Sequence, residues 1–161
     1  MNTEKIINKS ERYYMKRALL RAKTASRHGE VPVGAVIVYK GKIISGGRNR
    51  RETGKNALYH AEISAINNAC KKLGGWRLHE CDMYVTLEPC PMCAGAIVNS
   101  RIKNLYVGTR DEKSGSFGSV VNFNDLSYNH KPCLHFGILE NECKDVLSQF
   151  FKKLRENKKR S

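Results

Sequence analysis

Three residues that can ligate a metal ion and one carboxylate stand out in this chain. Glu62 follows His60 by two positions, and Cys90 and Cys93 enclose a Pro-Met pair. Two thiolates and a neutral imidazole would hold zinc and leave its fourth tetrahedral position open to water, as catalytic zinc sites do. Glu62 is then a candidate for taking a proton from that water and passing it to a leaving group. The four residues predict a hydrolytic zinc site.

The residues around the two cysteines predict the start of a helix. Cys90 precedes Pro91, and a residue before proline avoids helical dihedrals, whereas proline itself suits the first turn of a helix. We therefore expect Cys90 to be the N-cap. Its sulfur and that of Cys93 would then lie three residues apart on one face, at the positive end of the helix. This position favours thiolates.

His60 and Glu62 set a condition on a second helix. Residues two apart do not share a face of a regular helix, so both side chains reach one site only if the helix begins at His60. The run that follows extends to about Leu73, before Gly74 and Gly75. We therefore expect His60 at the very start of this helix.

A Cys-x-x-Cys pair on its own is also typical of a structural four-cysteine zinc site or of a redox pair. Cys133 and Cys143 are the available partners for such a zinc site, but their spacing is not that of a zinc knuckle. Neither alternative explains His60 and Glu62. The remaining cysteines are expected to be reduced bystanders: Cys70, Cys81, Cys133 and Cys143.

Length and charge restrict the class of protein. The chain has 161 residues, which suits a single domain over residues 1–161, and a formal net charge of +14. Such a charge predicts a polyanionic partner. The basic residues concentrate in segments 16–27, 48–55 and 152–160. For the last segment, a solvated helix end explains the charge equally well.

The chain shows no feature of a membrane or secreted protein. It contains no apolar stretch long enough to span a bilayer, and its first ten residues lack the apolar core of a signal peptide. We therefore expect a cytoplasmic protein with no membrane partner.

Periodicity and turn residues predict the order of the elements. Ser10 can cap a first helix that ends near Ala25, residues 33–47 form a hairpin, and segments 83–87 and 104–108 are strands that flank the Cys90 helix. Asn141 can cap a final amphipathic helix that docks on the core. The fold class is α/β: a three-layer α/β/α sandwich around a mixed, mostly parallel sheet of five expected strands, four of which these patterns locate. The polar loop 109–131 would rim a pocket at the strand ends.

Further stretches match one known family: residues 30–36, 48–50, 87–96, 100–102 and 108–115. Over nearly its whole length the chain resembles the bacterial tRNA-specific adenosine deaminases, which are cytidine deaminase-like zinc enzymes. The resemblance implies hydrolysis of adenosine to inosine at the wobble position of a tRNA anticodon loop, with arginine tRNA as substrate. It also implies a homodimer with one Zn²⁺ per subunit.

The resemblance assigns roles to individual residues. His60, Cys90 and Cys93 would ligate the zinc, and Glu62 would be catalytic. Four further residues would bind the substrate. Asn49 would contact the target nucleoside, and Arg110, Asp111 and Lys113 would lie on an RNA-facing loop. Asparagine also suits turns, so a turn role for Asn49 stays open.

Two other functions fit part of the pattern. A deaminase of a free nucleobase or nucleoside, such as guanine or cytidine, would share the metal chemistry but would need no basic rim around its pocket. A non-catalytic zinc module that binds nucleic acid would need no general base, so Glu62 argues against it.

Overall fold

The computed structural model describes residues 8–161, so the expectations for residues 1–7 lie outside the described residues. This part of the chain forms five strands and four α-helices. In chain order they are α1 (Lys9–Arg27), β1 (Gly34–Tyr39), β2 (Lys42–Arg48), α2 (Ala61–Leu73), β3 (Cys81–Leu87), α3 (Pro91–Ser100), β4 (Asn104–Thr109), β5 (Cys133–Phe136) and α4 (Glu140–Arg160).

The strands form one mixed sheet in the order β2-β1-β3-β4-β5. β1 pairs antiparallel with β2 and with β3, whereas β3, β4 and β5 are parallel. Within the described chain, β1 is therefore the one strand that runs against the others, and the prediction of a mixed, mostly parallel sheet is confirmed. β5 was not located from the sequence, because it has four residues and contains a histidine.

Two apolar cores lie on opposite faces of the sheet. Ala35 and Ile37 of β1 face the core that contains the buried residues of α2 and α3. Val36 and Val38 alternate with them and face the core that contains those of α1 and α4. This alternation is that of a strand buried on both faces. The three-layer α/β/α architecture is confirmed.

The predicted N-caps of the first and last helices were wrong. α1 begins after Asn8, whose side chain accepts a hydrogen bond from the Ser10 amide, while Glu11 accepts one from the Asn8 amide. Asn8 is the N-cap in place of Ser10 because this reciprocal pair of hydrogen bonds satisfies two otherwise free backbone N–H groups. α4 begins after Leu139, whose side chain is buried in the core, and not after Asn141.

Only the first half of α4 docks on the core. Val146, Leu147 and Phe150 are partly buried, but Phe151 and Leu154 are about 40% exposed. From residue 151 onward every side chain is exposed, because the helix continues past the sheet. None of the helices within residues 8–161 combines the length and apolarity needed to cross a membrane.

Gly47 allows β2 to lie against the first turn of α2. A Cβ at this position would collide with the carbonyl oxygen of Ala61 and lie 2.9 Å from the amide nitrogen of Ala65. Both are backbone atoms, which cannot move aside without shifting the helix. The absence of a side chain at Gly47 therefore sets how closely the start of α2 approaches the sheet.

We expect Gly47→Ala to lower the free energy of unfolding by about 1–3 kcal/mol, as other overpacked substitutions do. Gly75→Ala, just past the other end of α2, is the matched control, because its Cβ would meet nothing within 4 Å. Urea unfolding followed by circular dichroism measures both. Equal stability of the two variants would contradict the proposed close contact.

Candidate active site and metal centre

Two helix N-termini bring the predicted metal ligands together. His60 is the N-cap of α2 and Cys90 is the N-cap of α3, both with extended backbone. The Nδ1 atom of His60 lies 3.6 Å from Sγ of Cys90 and 3.5 Å from Sγ of Cys93. The expectations that one helix starts at His60 and another is capped by Cys90 are confirmed.

The three ligand atoms suit one metal ion. All of them lie within 4.8 Å of one another. Ligand distances of about 2.0 Å for nitrogen and 2.3 Å for sulfur, with tetrahedral angles, place the two kinds of atom ~3.6 Å apart. The observed separations of 3.5 and 3.6 Å match this value. Within residues 8–161, His60, Cys90 and Cys93 form a cluster that could hold a metal ion, and the other four cysteines lie outside it.

The environment favours the thiolate at Cys90 but the thiol at Cys93. A hydrogen bond with Cys93, together with one to His60, lowers the pKa of Cys90 to about 4. The pKa of Cys93 is raised, because it shares that hydrogen bond with Cys90 and because it is buried. The pair therefore holds one proton between its sulfurs, and metal binding would release it.

Glu62 lies beside this cluster in the first turn of α2. Its side chain is 4% exposed, and it lines the same cavity as His60 and Cys90. Burial raises the pKa of Glu62 to about 7. The carboxyl can therefore carry or release a proton close to neutral pH.

The cluster lies in the wall of a cavity of about 130 Å³. Its lining combines a few polar groups with apolar side chains, as small-molecule sites do. The lining residues are Val31, Val33, Asn49, Arg51, His60, Ala61, Glu62, Leu87, Glu88, Cys90, Asp111 and Ser114.

Asn49 has the turn role considered from its sequence, and it also lies in the cavity wall. Its Oδ1 accepts a hydrogen bond from the Arg51 amide, and its Nδ2 donates one to the carbonyl of Val31. The side chain therefore shapes a turn. It is also 9% exposed in the cavity wall, where its amide retains one N–H and one lone pair.

The 109–131 loop brings only part of the predicted substrate-binding set to the cavity. Asp111 lines it, and its carboxylate accepts hydrogen bonds from the Lys113 amide and the Ser114 hydroxyl. The side chain of Lys113 is exposed and does not line the cavity. Arg110 also lies outside it, with its guanidinium 4.1 Å from the ring centre of Phe136.

Two buried carboxylates that sequence reasoning did not single out position the loops of the site. Glu30 accepts hydrogen bonds from the amides of Glu52 and Thr53, at 3.2 and 2.6 Å. Glu88 accepts them from the amides of Asp111 and Ser119, at 3.0 and 3.2 Å. Both carboxylates are at most 2% exposed. In the sequence, Glu30 directly precedes the largely apolar segment 31–38, and Glu88 directly follows the strand segment 83–87.

Gly115 lies against the Glu88 carboxylate. A Cβ at this position would overlap with Oε2 of Glu88 and lie 2.5 Å from the carbonyl oxygen of Asp111. The loop can therefore close on Glu88 only with glycine here. Glu88 fixes the 111–119 loop on one side of the cavity, as Glu30 fixes residues 52 and 53 on the other.

Known proteins are similar to this chain in sequence and in fold. The family model of the MafB19-like deaminases matches residues 8–155. The tRNA-specific adenosine deaminase of Bacillus subtilis (strain 168) is 48% identical over 147 residues, which cover 91% of this chain and 91% of the relative. The chain belongs to the family of tRNA-specific adenosine deaminases.

Solved structures of deaminases agree with this membership. One from a study of A-to-I editing by tRNA:A34 deaminases at the wobble position of transfer RNA has a TM-score of 0.82 and 42% identity, and the match covers 84% of this chain and 99% of that one. The guanine deaminase of Bacillus subtilis has a TM-score of 0.58 and 31% identity, over 80% and 88% of the two chains. The cytidine deaminase-like fold class is therefore confirmed.

We expect Glu30→Gln to lower the free energy of unfolding of this deaminase by about 1–3 kcal/mol at neutral pH, because a neutral amide accepts the two N–H groups more weakly than a carboxylate. Desolvation opposes ionisation of Glu30, but the amides of Thr53 and Glu52 outweigh it, so its pKa is lowered. Its contribution is then present above the unfolded value, about 4.3, and is lost as pH falls through the folded value.

Urea unfolding of wild type and Glu30→Gln from about pH 3 to 7 measures this effect. The difference in unfolding free energy should shrink below about pH 4. Glu52→Gln is the control, because the Glu52 side chain is 73% exposed and makes only a surface ion pair with Arg51. A pH-independent difference for Glu30→Gln would contradict an ionised, hydrogen-bonded carboxylate.

Proposed function

We propose that this chain hydrolyses adenosine to inosine at the wobble position of a tRNA anticodon loop, with arginine tRNA as substrate. One observation carries the proposal: the buried Glu62 lines one cavity together with His60 and Cys90 of the His60, Cys90 and Cys93 cluster, in a chain 48% identical to a tRNA-specific adenosine deaminase. A single-stranded loop suits such a cavity, because its bases can be turned out at modest cost.

Zinc is the proposed metal. One imidazole and two thiolates form a donor set typical of catalytic zinc, and the nitrogen–sulfur distances of 3.5 and 3.6 Å suit its tetrahedral geometry. When bound, zinc supplies the Lewis acidity that makes water a nucleophile at neutral pH.

Glu62 is the proposed proton carrier. The reaction adds water at C6 of adenine, expels the exocyclic amine as ammonia and leaves a carbonyl. The carboxylate takes a proton from the attacking water and gives it to a ring nitrogen. It then takes the proton of the hydroxyl added at C6, as the carbonyl forms, and gives it to the departing amine. The position of Glu62 in the first turn of α2, beside its N-cap His60, suits these transfers within one cavity.

The remaining polar groups of the cavity are proposed to orient the nucleoside. The free N–H and lone pair of Asn49 offer hydrogen bonds to it, while Asp111 holds the loop at the entrance. Arg110 and Lys113, which lie outside the cavity on the same loop, are proposed to contact the RNA around the target base.

We further propose a single-domain, cytoplasmic homodimer with one zinc ion per subunit. All five strands within residues 8–161 form one sheet, which supports a single domain. The outer side of α3 carries Met92, Gly95 and Ala96, which are partly buried and small or apolar. Such a face supports an interface formed by α3 and its neighbours.

We expect purified wild-type protein to form inosine in an in vitro arginine tRNA with adenosine at the wobble position. Glu62→Gln should lower the rate by at least about 10²-fold, because it removes the proton carrier while preserving shape. Nuclease digestion and chromatography detect the inosine, and unchanged metal content of the variant shows that its site is intact. Ammonia release from free guanine or cytidine, with no inosine in tRNA, would instead support a free-nucleobase or nucleoside deaminase.

We expect one zinc ion per chain by elemental mass spectrometry. Cys93→Ser should lose most of it, because serine is a poor zinc ligand. Cys133→Ser, at an exposed cysteine outside the cluster, should retain it. Equal zinc content in the two variants would rule out Cys93 as a ligand.

A further inference from the structure

The segment that carries Asn49 separates the cavity from a second concave surface. Asn49 and Arg51 line the cavity, whereas Arg48 and Arg50 line a groove of about 380 Å³. Successive side chains of an extended segment point to opposite sides, which explains this division. The groove therefore lies directly behind the nucleoside-facing residues.

Helix α1 adds further cations to this surface. Arg21 lines the same groove, and its guanidinium lies so close to Gly46 that a Cβ there would overlap with it. Arg21 also lines an adjoining groove of about 480 Å³, together with Arg17 and Lys42. We call the joined surface the basic groove and define it by five residues: Arg17, Arg21, Lys42, Arg48 and Arg50. Residues more than 25 positions apart in the sequence meet there.

The basic groove has no counter-charge within the described residues. None of its five cations lies within 4.0 Å of a carboxylate there, although Arg50 rests 4.9 Å from the ring centre of Tyr59. Neither groove has an aspartate or glutamate in its lining. The cations therefore repel one another, and burial together with Arg17 lowers the pKa of Arg21.

Arg48 provides a second, independent observation. Its Nη1 atom is buried and has no hydrogen-bond partner among residues 8–161. A buried donor that lacks a partner costs about 1–3 kcal/mol, more when it is charged. An anionic ligand in the groove would relieve the repulsion, and its acceptor oxygens would remove this cost once the Arg48 side chain rotates toward them.

We propose that the basic groove binds phosphate groups of the RNA substrate. This inference rests on the proposed function and names where the RNA backbone lies. Guanidinium groups pair with phosphate oxygens through two parallel hydrogen bonds, so arginines suit this ligand better than lysines do. A strand whose base enters the cavity beside Asn49 passes its neighbouring phosphates over Arg48 and Arg50. The exposed ring of Tyr13, at the edge of the adjoining groove, adds a stacking surface.

The test measures binding of a short anticodon stem-loop RNA as a function of salt. Arg17→Gln, Arg21→Gln and Arg48→Gln are combined in one variant. The control combines Lys158→Gln, Lys159→Gln and Arg160→Gln, which removes the same charge from the exposed end of α4. Both are made in the Glu62→Gln background, so that the RNA is not converted during the measurement. Arg17→Gln with Arg21→Gln alone serves if the triple variant does not fold, because both arginines are exposed.

The groove variant should raise the Kd at least about 10-fold and reduce the slope of log K against log salt by about 2, since each lost contact to a single strand removes ~0.7. The control should change the Kd by less than about 2-fold. A groove variant that binds like wild type, or a control that loses as much affinity, would overturn the inference.

The failure of this inference can be distinguished from failure of the proposed function. If wild-type protein forms inosine and the groove variant binds RNA like wild type, the proposed function is supported and the groove is excluded as an RNA-binding site. If no inosine forms but RNA binding depends on the groove, the groove is supported as an RNA-binding site and the proposed wobble reaction is excluded.

Discussion

The meeting of two helix N-termini is the constraint on which the rest of this structure depends. His60 and Cys90 are 30 positions apart in the sequence, yet their ligand atoms lie 3.6 Å apart. The sheet makes this possible, because α2 and α3 pack on the same face and start at the same edge. Gly47 then determines how closely α2 approaches the strand beside it. A shift of either helix by one turn, 5.4 Å, would separate the ligands completely.

The loops around the cavity depend on a different interaction, the buried carboxylates of Glu30 and Glu88. Each carboxylate accepts hydrogen bonds from loop amides, which in a helix or strand would bond to backbone carbonyls. Loops fixed in this way hold Arg51 and Asp111 in the cavity wall just beyond the ends of β2 and β4. The metal cluster therefore depends on the helices, and the substrate-facing loops depend on acidic residues, so the two parts of the site have separate physical supports.

The sequence allowed much of this to be predicted. Proline after Cys90 and the two-residue interval between His60 and Glu62 were sufficient to place both helix starts, because backbone sterics act locally. The fold class followed from the order of the elements. The caps at Asn8 and Leu139 were missed, because competing polar residues nearby fit the same rules. Glu30 and Glu88 were missed as well, because an acidic residue that bonds to distant amides has no local periodic signature.

The alternation along residues 48–51 constrains how this segment can evolve. Its two sides line different surfaces, Asn49 and Arg51 the cavity and Arg48 and Arg50 the groove, so each pair can vary without the other. The length of the segment is less free. One inserted residue before Asn49 would reverse the sides, turning the amide away from the cavity and an arginine into it. Relatives with the same ligands should therefore differ in side chains here far more readily than in spacing.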